Sequence, residues 1–198
     1  MTLRSDSSTQ GSNGRDRILL AAYDLFRRFG TRAVGIDAVV AAAGVAKMTL
    51  YRHFPTKDDL ILATLRRREQ VWTDEWLQEE AARRGTTPAE QLLAIFEIFD
   101  EWFGDGDFDG CTFIKTLLEY DDGTHPVRQA SVEHLAHMRS FIRELATVHG
   151  VDDPDSFSRQ WHILMKGSII AALEGDRHAA RRARELGALL LAGSPVAA

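Results

Sequence analysis

Three sets of side chains in this sequence have types and spacings suited to chemistry on a partner. Between Gly44 and Pro55 stand Lys47, Met48, Thr49, Arg52 and His53, mixing cations, a hydroxyl and an imidazole over two helical turns. Held outward on a rigid rod, such a set hydrogen-bonds base edges in a DNA groove. Cys111, the single cysteine, is a nucleophile only where a histidine activates its thiolate. His134 and His137, three apart, can share one helix face as metal ligands. Nothing in the spacing of the seven histidines brings one to Cys111, and a lone cysteine is commonly a small buried hydrophobe. His125, His149 and His162 supply no third ligand at a convincing spacing. An all-helical cysteine-dependent enzyme and a metal-responsive regulator are therefore kept only as alternatives; no metal and no cofactor is expected.

The elements that must hold these groups follow from periodicity. Ile18, Leu19, Ala22, Leu25, Phe26 and Phe29 recur at three- and four-residue intervals, with Gly30 placed as a C-terminal cap. A short helix is predicted near 36–43, a turn at Gly44-Val45, and a second short helix near 46–53 closed by Pro55. Two short helices about a glycine turn make a helix-turn-helix. Val39, Val40 and Ala43 face inward on the first, Val45 plugs the turn, and Leu50 and Phe54 anchor the second. Thr56-Lys57-Asp58-Asp59 is close to a capping box, opening a fourth helix that carries Ile61, Leu65, Trp72 and Trp76 toward residue 84. Further helices are predicted at 88–103, 110–120, 126–149, 154–174 and 177–192. The expected fold is all-α, with about nine helices. A tail at 1–13 is expected to be flexible, followed by a DNA-binding domain at 14–56 and a larger helical domain at 57–198.

Composition fits this. Of 198 residues, 44% are apolar and 27% charged, enough apolar material for a real core. One cysteine excludes an internal disulfide, and no apolar run reaches the roughly 18 residues that span a bilayer. The chain reads as cytoplasmic, with no membrane partner. Its net charge of −5 hides an asymmetry: residues 1–68 carry 12 Lys/Arg against 6 Asp/Glu, and the rest carry 12 against 23. A basic end on an acidic body suits one face turned to a polyanion.

The stretch Ala43-Gly44-Val45-Ala46-Lys47-Met48-Thr49-Leu50-Tyr51-Arg52-His53-Phe54-Pro55-Thr56-Lys57-Asp58-Asp59-Leu60 resembles the signature of TetR-type transcription regulators, as does Leu25-Phe26-x-x-Phe29-Gly30. The resemblance covers about residues 15–62. It implies that Lys47, Met48 and Thr49 face bases, that Tyr51 and His53 touch phosphates, and that Arg52 serves either purpose. Lys57 would meet a phosphate at a helix start, where backbone N–H groups favour an anion. Tyr51 as a packing residue and His53 as an ordinary surface histidine are the plainer alternatives; Arg66, Arg67 and Arg68 read as a solvated face. Gly35 and Ala46 stand where many relatives carry hydroxyls, so two capping or phosphate contacts are missing.

In the rest of the chain the resemblance thins to Gly110-Cys111-Thr112-Phe113 with Glu119. It implies a ligand-responsive regulator, usually a repressor released from a near-palindromic double-stranded operator by a small hydrophobic effector, working as a homodimer. Apolar candidates for the effector pocket are Trp72, Phe99, Trp102, Phe103, Cys111, Phe113, Leu117, Met138, Trp161 and Met165, though a stripe of large apolar residues is by default a packing surface. Small residues on the last two helices, Gly167, Ala171, Ala172, Ala183 and Gly187, would allow close approach of a second subunit, with intramolecular packing as the alternative.

Overall fold

A computed structural model of the chain describes residues 14–194, so the tail expected at 1–13 lies outside the described residues. Ten α-helices and one π-helical stretch follow one another: α1 (Gly14–Phe29), α2 (Ile36–Ala43), α3 (Lys47–His53), α4 (Lys57–Arg68), the π-helix Glu69–Gln78, α5 (Glu79–Arg84), α6 (Pro88–Gly104), α7 (Thr112–Glu119), α8 (Pro126–His149), α9 (Pro154–Leu173) and α10 (Ala179–Gly193). The fold is all-α. The helix expected from 56 to 84 is a continuous helical run, but ten of its residues wind as π-helix. The four-residue spacing of Trp72 and Trp76 does not separate the two windings, because it lies close to one turn of either.

The chain divides into two compact units, one containing residues up to Glu69 with Cys111–His134, the other Gln70–Gly110 with the chain from Leu135 onward. The first therefore holds more than the domain expected at 14–56.

In this first unit α1 packs on α2, α3 and α4. Ile18, Leu19, Ala22, Tyr23 and Phe26 form its buried stripe. Phe29, grouped with this stripe by its spacing, is 63% exposed at the last position of α1, and Gly30 ends the helix with φ +83°. Thr56 and Asp59 form the reciprocal capping box at the start of α4, with Asp59 N–H donating to Thr56 Oγ1 at 3.1 Å and Thr56 N–H to Asp59 Oδ2 at 3.0 Å.

The second unit is built round α6, which packs on α5, α9 and α10. Neighbours on several sides explain why Leu92, Ala94, Ile95, Phe96, Ile98, Phe99 and Trp102 are all buried. A second capping box, Thr87 with Glu90, starts this helix behind Pro88; the Gly-Thr-Thr-Pro segment is thus an initiator as well as a break. Ion pairs fasten the solvent side, Arg84 to Glu101 at 2.8 Å, Arg181 to Asp100 at 3.1 Å and Arg184 to Glu97 at 3.1 Å.

Candidate nucleic-acid interface and its neighbours

The α2–turn–α3 segment has the geometry its sequence predicts. Gly44 closes α2 in the left-handed region, φ 60°, and its N–H caps the Ala41 carbonyl. A side chain at that φ would be strained. Val39, Ala43, Leu50 and Phe54 are buried, while Val40 and Val45 are half-buried. Anchored so, α3 turns Lys47, Met48, Tyr51 and Arg52 to solvent, Met48 being 78% exposed. Thr49 and His53 are half-buried. As the missing hydroxyls imply, neither Gly35 nor Ala46 makes a side-chain cap.

Two features of this face were not read from sequence. The Lys47 ammonium lies 2.7 Å from the Asp37 carboxylate on α2, and that hydrogen bond and charge raise the lysine above its usual range. Arg15 stacks over the Phe54 ring at 5.3 Å. Lys57 is half-buried and donates to the Arg32 carbonyl at 3.4 Å. Burial pushes its ammonium pKa down, with Glu119 and Asp58 opposing.

The same unit holds α7 against the α1–α2 turn. Glu119 accepts from Thr31 N–H at 2.8 Å, from Arg32 N–H at 3.2 Å and from the Thr31 hydroxyl. Lys115 donates to the Arg27 carbonyl at 2.7 Å, Tyr120 meets Thr31 Oγ1 at 3.1 Å, and Arg32 lies over the Tyr120 ring. Arg128 caps the Leu117 and Tyr120 carbonyls at 2.9 and 2.7 Å. These contacts explain why α7 clusters with the helix-turn-helix rather than with the larger unit. Sequence reasoning missed them because the partners are separated by about 88 positions, with no local pattern to link them.

The candidate effector residues fall in both compact units. Trp72, Phe99, Trp102 and Phe103, joined by Trp76 and Phe108, stack on one another with centroids 4.9–6.2 Å apart. Trp161 instead packs between Phe96 and Phe157, at 5.3 and 5.4 Å; Met138 and Met165 are buried in the same unit. Cys111, Phe113 and Leu117 belong to the other unit. There Phe113 stacks face to face on His134 and lines a groove of about 260 Å³ with Leu65, Arg66, Glu69 and Gln129. Arg66 lines it while staying exposed, as read, whereas Arg68, read with it as solvated face, is buried. Cys111 opens α7, and its thiol is pushed up by burial despite the Phe113 and Ile114 amides and the charges of Arg68 and Lys115. His134 lies 3.3 Å from Glu69, and among the described residues no group of three or more His, Cys, Asp or Glu is placed to hold a metal ion. No described helix is long and apolar enough to cross a membrane.

The small-residue set also divides. Gly167 is exposed with open space where a side chain would stand, and Ala171 and Ala172 are half-buried. Ala183 and Gly187, expected at a subunit interface, are buried inside the chain. A Cβ on Gly187 would come within 2.9 Å of Trp161 and 3.1 Å of Phe96. Gly187 thus serves the close packing of α10 on α6 and α9 within the chain.

A short, exposed second helix over a glycine turn, in an all-α chain, defines a helix-turn-helix DNA-binding protein. Residues 18–64 match the bacterial regulatory proteins of the tetR family, and residues 88–186 match the tetracyclin repressor-like C-terminal domain. The chain belongs to the TetR family of transcription regulators. Among curated relatives, the HTH-type transcriptional regulator YjdC of Escherichia coli K12 is 25% identical over 155 residues, 78% of this chain and 81% of that one. The HTH-type transcriptional activator FasR of Mycolicibacterium smegmatis is 34% identical over 119 residues, 60% of this chain and 52% of that one. Among solved structures, a tetr-transcriptional regulator, sav143, from Streptomyces avermitilis superposes with a TM-score of 0.82 at 29% identity, covering 93% of this chain and all of that one.

Proposed function

We propose that the chain is a homodimeric, ligand-released repressor whose α3 reads a near-palindromic operator. The observation that carries the reading is the exposure of Lys47, Met48, Tyr51 and Arg52 on a helix pinned from beneath by Leu50 and Phe54. Lys47, Met48 and Thr49 take the base edges, Tyr51, His53 and Lys57 the phosphates, and Arg52 either. Two copies of α3 then sit about 34–36 Å apart in successive major grooves.

Dimerisation uses the outer face of α9 and α10. Ile163, Ile170, Leu173, Leu186 and Leu189 are all at least 41% exposed there, and Gly167, Ala171 and Ala172 permit close approach. The effector is a small hydrophobic molecule taken up among Trp72, Trp76, Phe99, Trp102, Phe103 and Phe108, where apolar walls meet a surface opening lined by Trp76, Glu101, Trp102 and Asp105. By linkage, effector and DNA weaken each other's binding by one common factor, about 1–3 kcal/mol in such systems. The chain acts as a regulator and not as an enzyme, a reading supported by its family, and works in the cytoplasm where its operator lies.

The test is to sequence the DNA fragments that the purified protein selects and then ask which metabolites release them. Enrichment of an inverted repeat, with release by an apolar compound, is the expected result. Selection of no duplex at low ionic strength overturns it.

A further inference from the structure

Glu119 stands on α7, far along the chain from the DNA-contacting residues, yet its carboxylate is spent wholly on the turn beside them. It accepts the N–H groups of Thr31 and Arg32 and the Thr31 hydroxyl. On the other side of the Arg32 Cα, the carbonyl of the next peptide accepts from Lys57 at 3.4 Å. Two sets of hydrogen bonds, joined through the backbone of Arg32, therefore run from α7 through the α1–α2 turn to the ammonium at the start of α4. Gly30 precedes this turn at a positive φ, and an added Cβ there would collide with the Glu119 carboxylate, so the approach is tight as well as bonded. Tyr120, just past α7, meets the Thr31 hydroxyl, and Lys115 on α7 holds the Arg27 carbonyl at the end of α1.

We propose that Glu119 is a positioning residue for DNA binding, holding the Thr31 and Arg32 N–H groups and, through the Arg32 backbone, the carbonyl that keeps Lys57 ready to take a backbone phosphate. This rests on Lys57 being a phosphate contact, as in the function proposed above. A carboxylate is the right group, because it offers only acceptors to three converging donors, and acceptance by an ionised group makes each bond stronger than a neutral one. In glutamine one neutral oxygen at the Oε2 place would have to accept all three bonds, with the N–H₂ turned against the Thr31 N–H. Any displacement of α7 would then reach the phosphate contact directly, without first repacking α4.

The experiment uses the full-length protein and a fluorescent mixed-sequence DNA duplex, since a phosphate contact is independent of sequence. Affinity is measured across a range of KCl for the parent, Lys57→Ala, Glu119→Gln and the double variant, with helical circular dichroism and the thermal midpoint recorded for each. Lys57→Ala lowers the salt slope by about one unit. Glu119→Gln lowers both affinity and slope in the same direction, and the double variant binds no more weakly than Lys57→Ala alone. That non-additivity is what a purely structural role would not give. Should Glu119→Gln fail to fold, Thr31→Ala removes one of the three donors and must show a smaller loss with the same coupling to Lys57. Additive losses, unchanged affinity in folded Glu119→Gln, or tighter binding overturn the proposal while leaving the Lys57 contact standing. An unchanged slope in Lys57→Ala removes both.

Discussion

Lys47 shows how a single residue can be read correctly in kind and incompletely in state. Its position two residues after Val45 gives its outward direction, but only the structure reveals that it is engaged by Asp37 at 2.7 Å. Both groups are largely exposed, so solvent screens the pair and the bond exchanges readily. On DNA the carboxylate would face phosphates of its own sign. Asp37→Asn is therefore expected to tighten binding to non-specific DNA a few-fold and steepen its salt dependence; weaker binding in a titration at two KCl concentrations would show that the pair preorganises Lys47 instead. Thr49 is half-buried beside Gly14, with its methyl 3.5 Å from where a Gly14 side chain would begin. Changing it should alter which sequences a selection recovers, not the salt slope; unchanged sequences would remove its base-facing role.

At the level of elements, the caps decide where the reading face starts. Thr56→Ala removes the Thr56 half of the capping box at the head of α4 and should cost about 1 kcal/mol of unfolding free energy, measured by urea titration, with a matching loss of affinity through Lys57. α10 offers a sharper test. Gly187→Val would drive a side chain onto Trp161 and Phe96, both fully buried, and overpacking of this kind costs about 1–3 kcal/mol. The same change at Gly167, where nothing stands within 4 Å, should leave monomer stability nearly unchanged. Both glycines look alike in sequence. The helix-turn-helix was legible because a glycine turn, a four-residue apolar spacing and a proline stop are local signals. The mutual stacking within the effector set, as between Trp72 and Trp102, was not, because aromatic residues at helical spacing give the same pattern whatever they meet. Phe29 was misplaced for a related reason: periodicity does not say where the chain leaves the helix surface. The π-winding at Glu69–Gln78 was hidden because its apolar positions keep a spacing compatible with an α-helix.

For the whole molecule, His162 makes stability depend on pH. Buried on α9, with its Nδ1 lacking a hydrogen-bond partner among the described residues, it is pushed down to about 3 by burial first, then by Lys166 and Arg139. Above pH 6.5 folded and unfolded chains both hold it neutral and it adds no pH dependence. As pH falls from 6.5 toward 3, only the unfolded chain takes up the proton, and stability is lost by up to about 1.4 kcal/mol per unit. His162→Gln should flatten that acid limb in a series of urea titrations; an identical limb would show that other groups set it. Association is tested on the neighbouring face. Ile163→Glu, at a position 63% exposed in the single chain, should shift sedimentation to the monomer without lowering its helical content, and weaken operator binding far more than non-specific binding.

Because Cys111–His134 belongs to the same compact unit as the helix-turn-helix, that unit is not a contiguous stretch of sequence. A ribosome releasing the first seventy residues has not yet made the carboxylate that seats the Thr31 turn, nor the lysine that caps α1. The DNA-reading part should mature only once His134 has cleared the exit tunnel, so a fragment ending at Glu69 should be markedly less protease-resistant than the same residues in the finished chain.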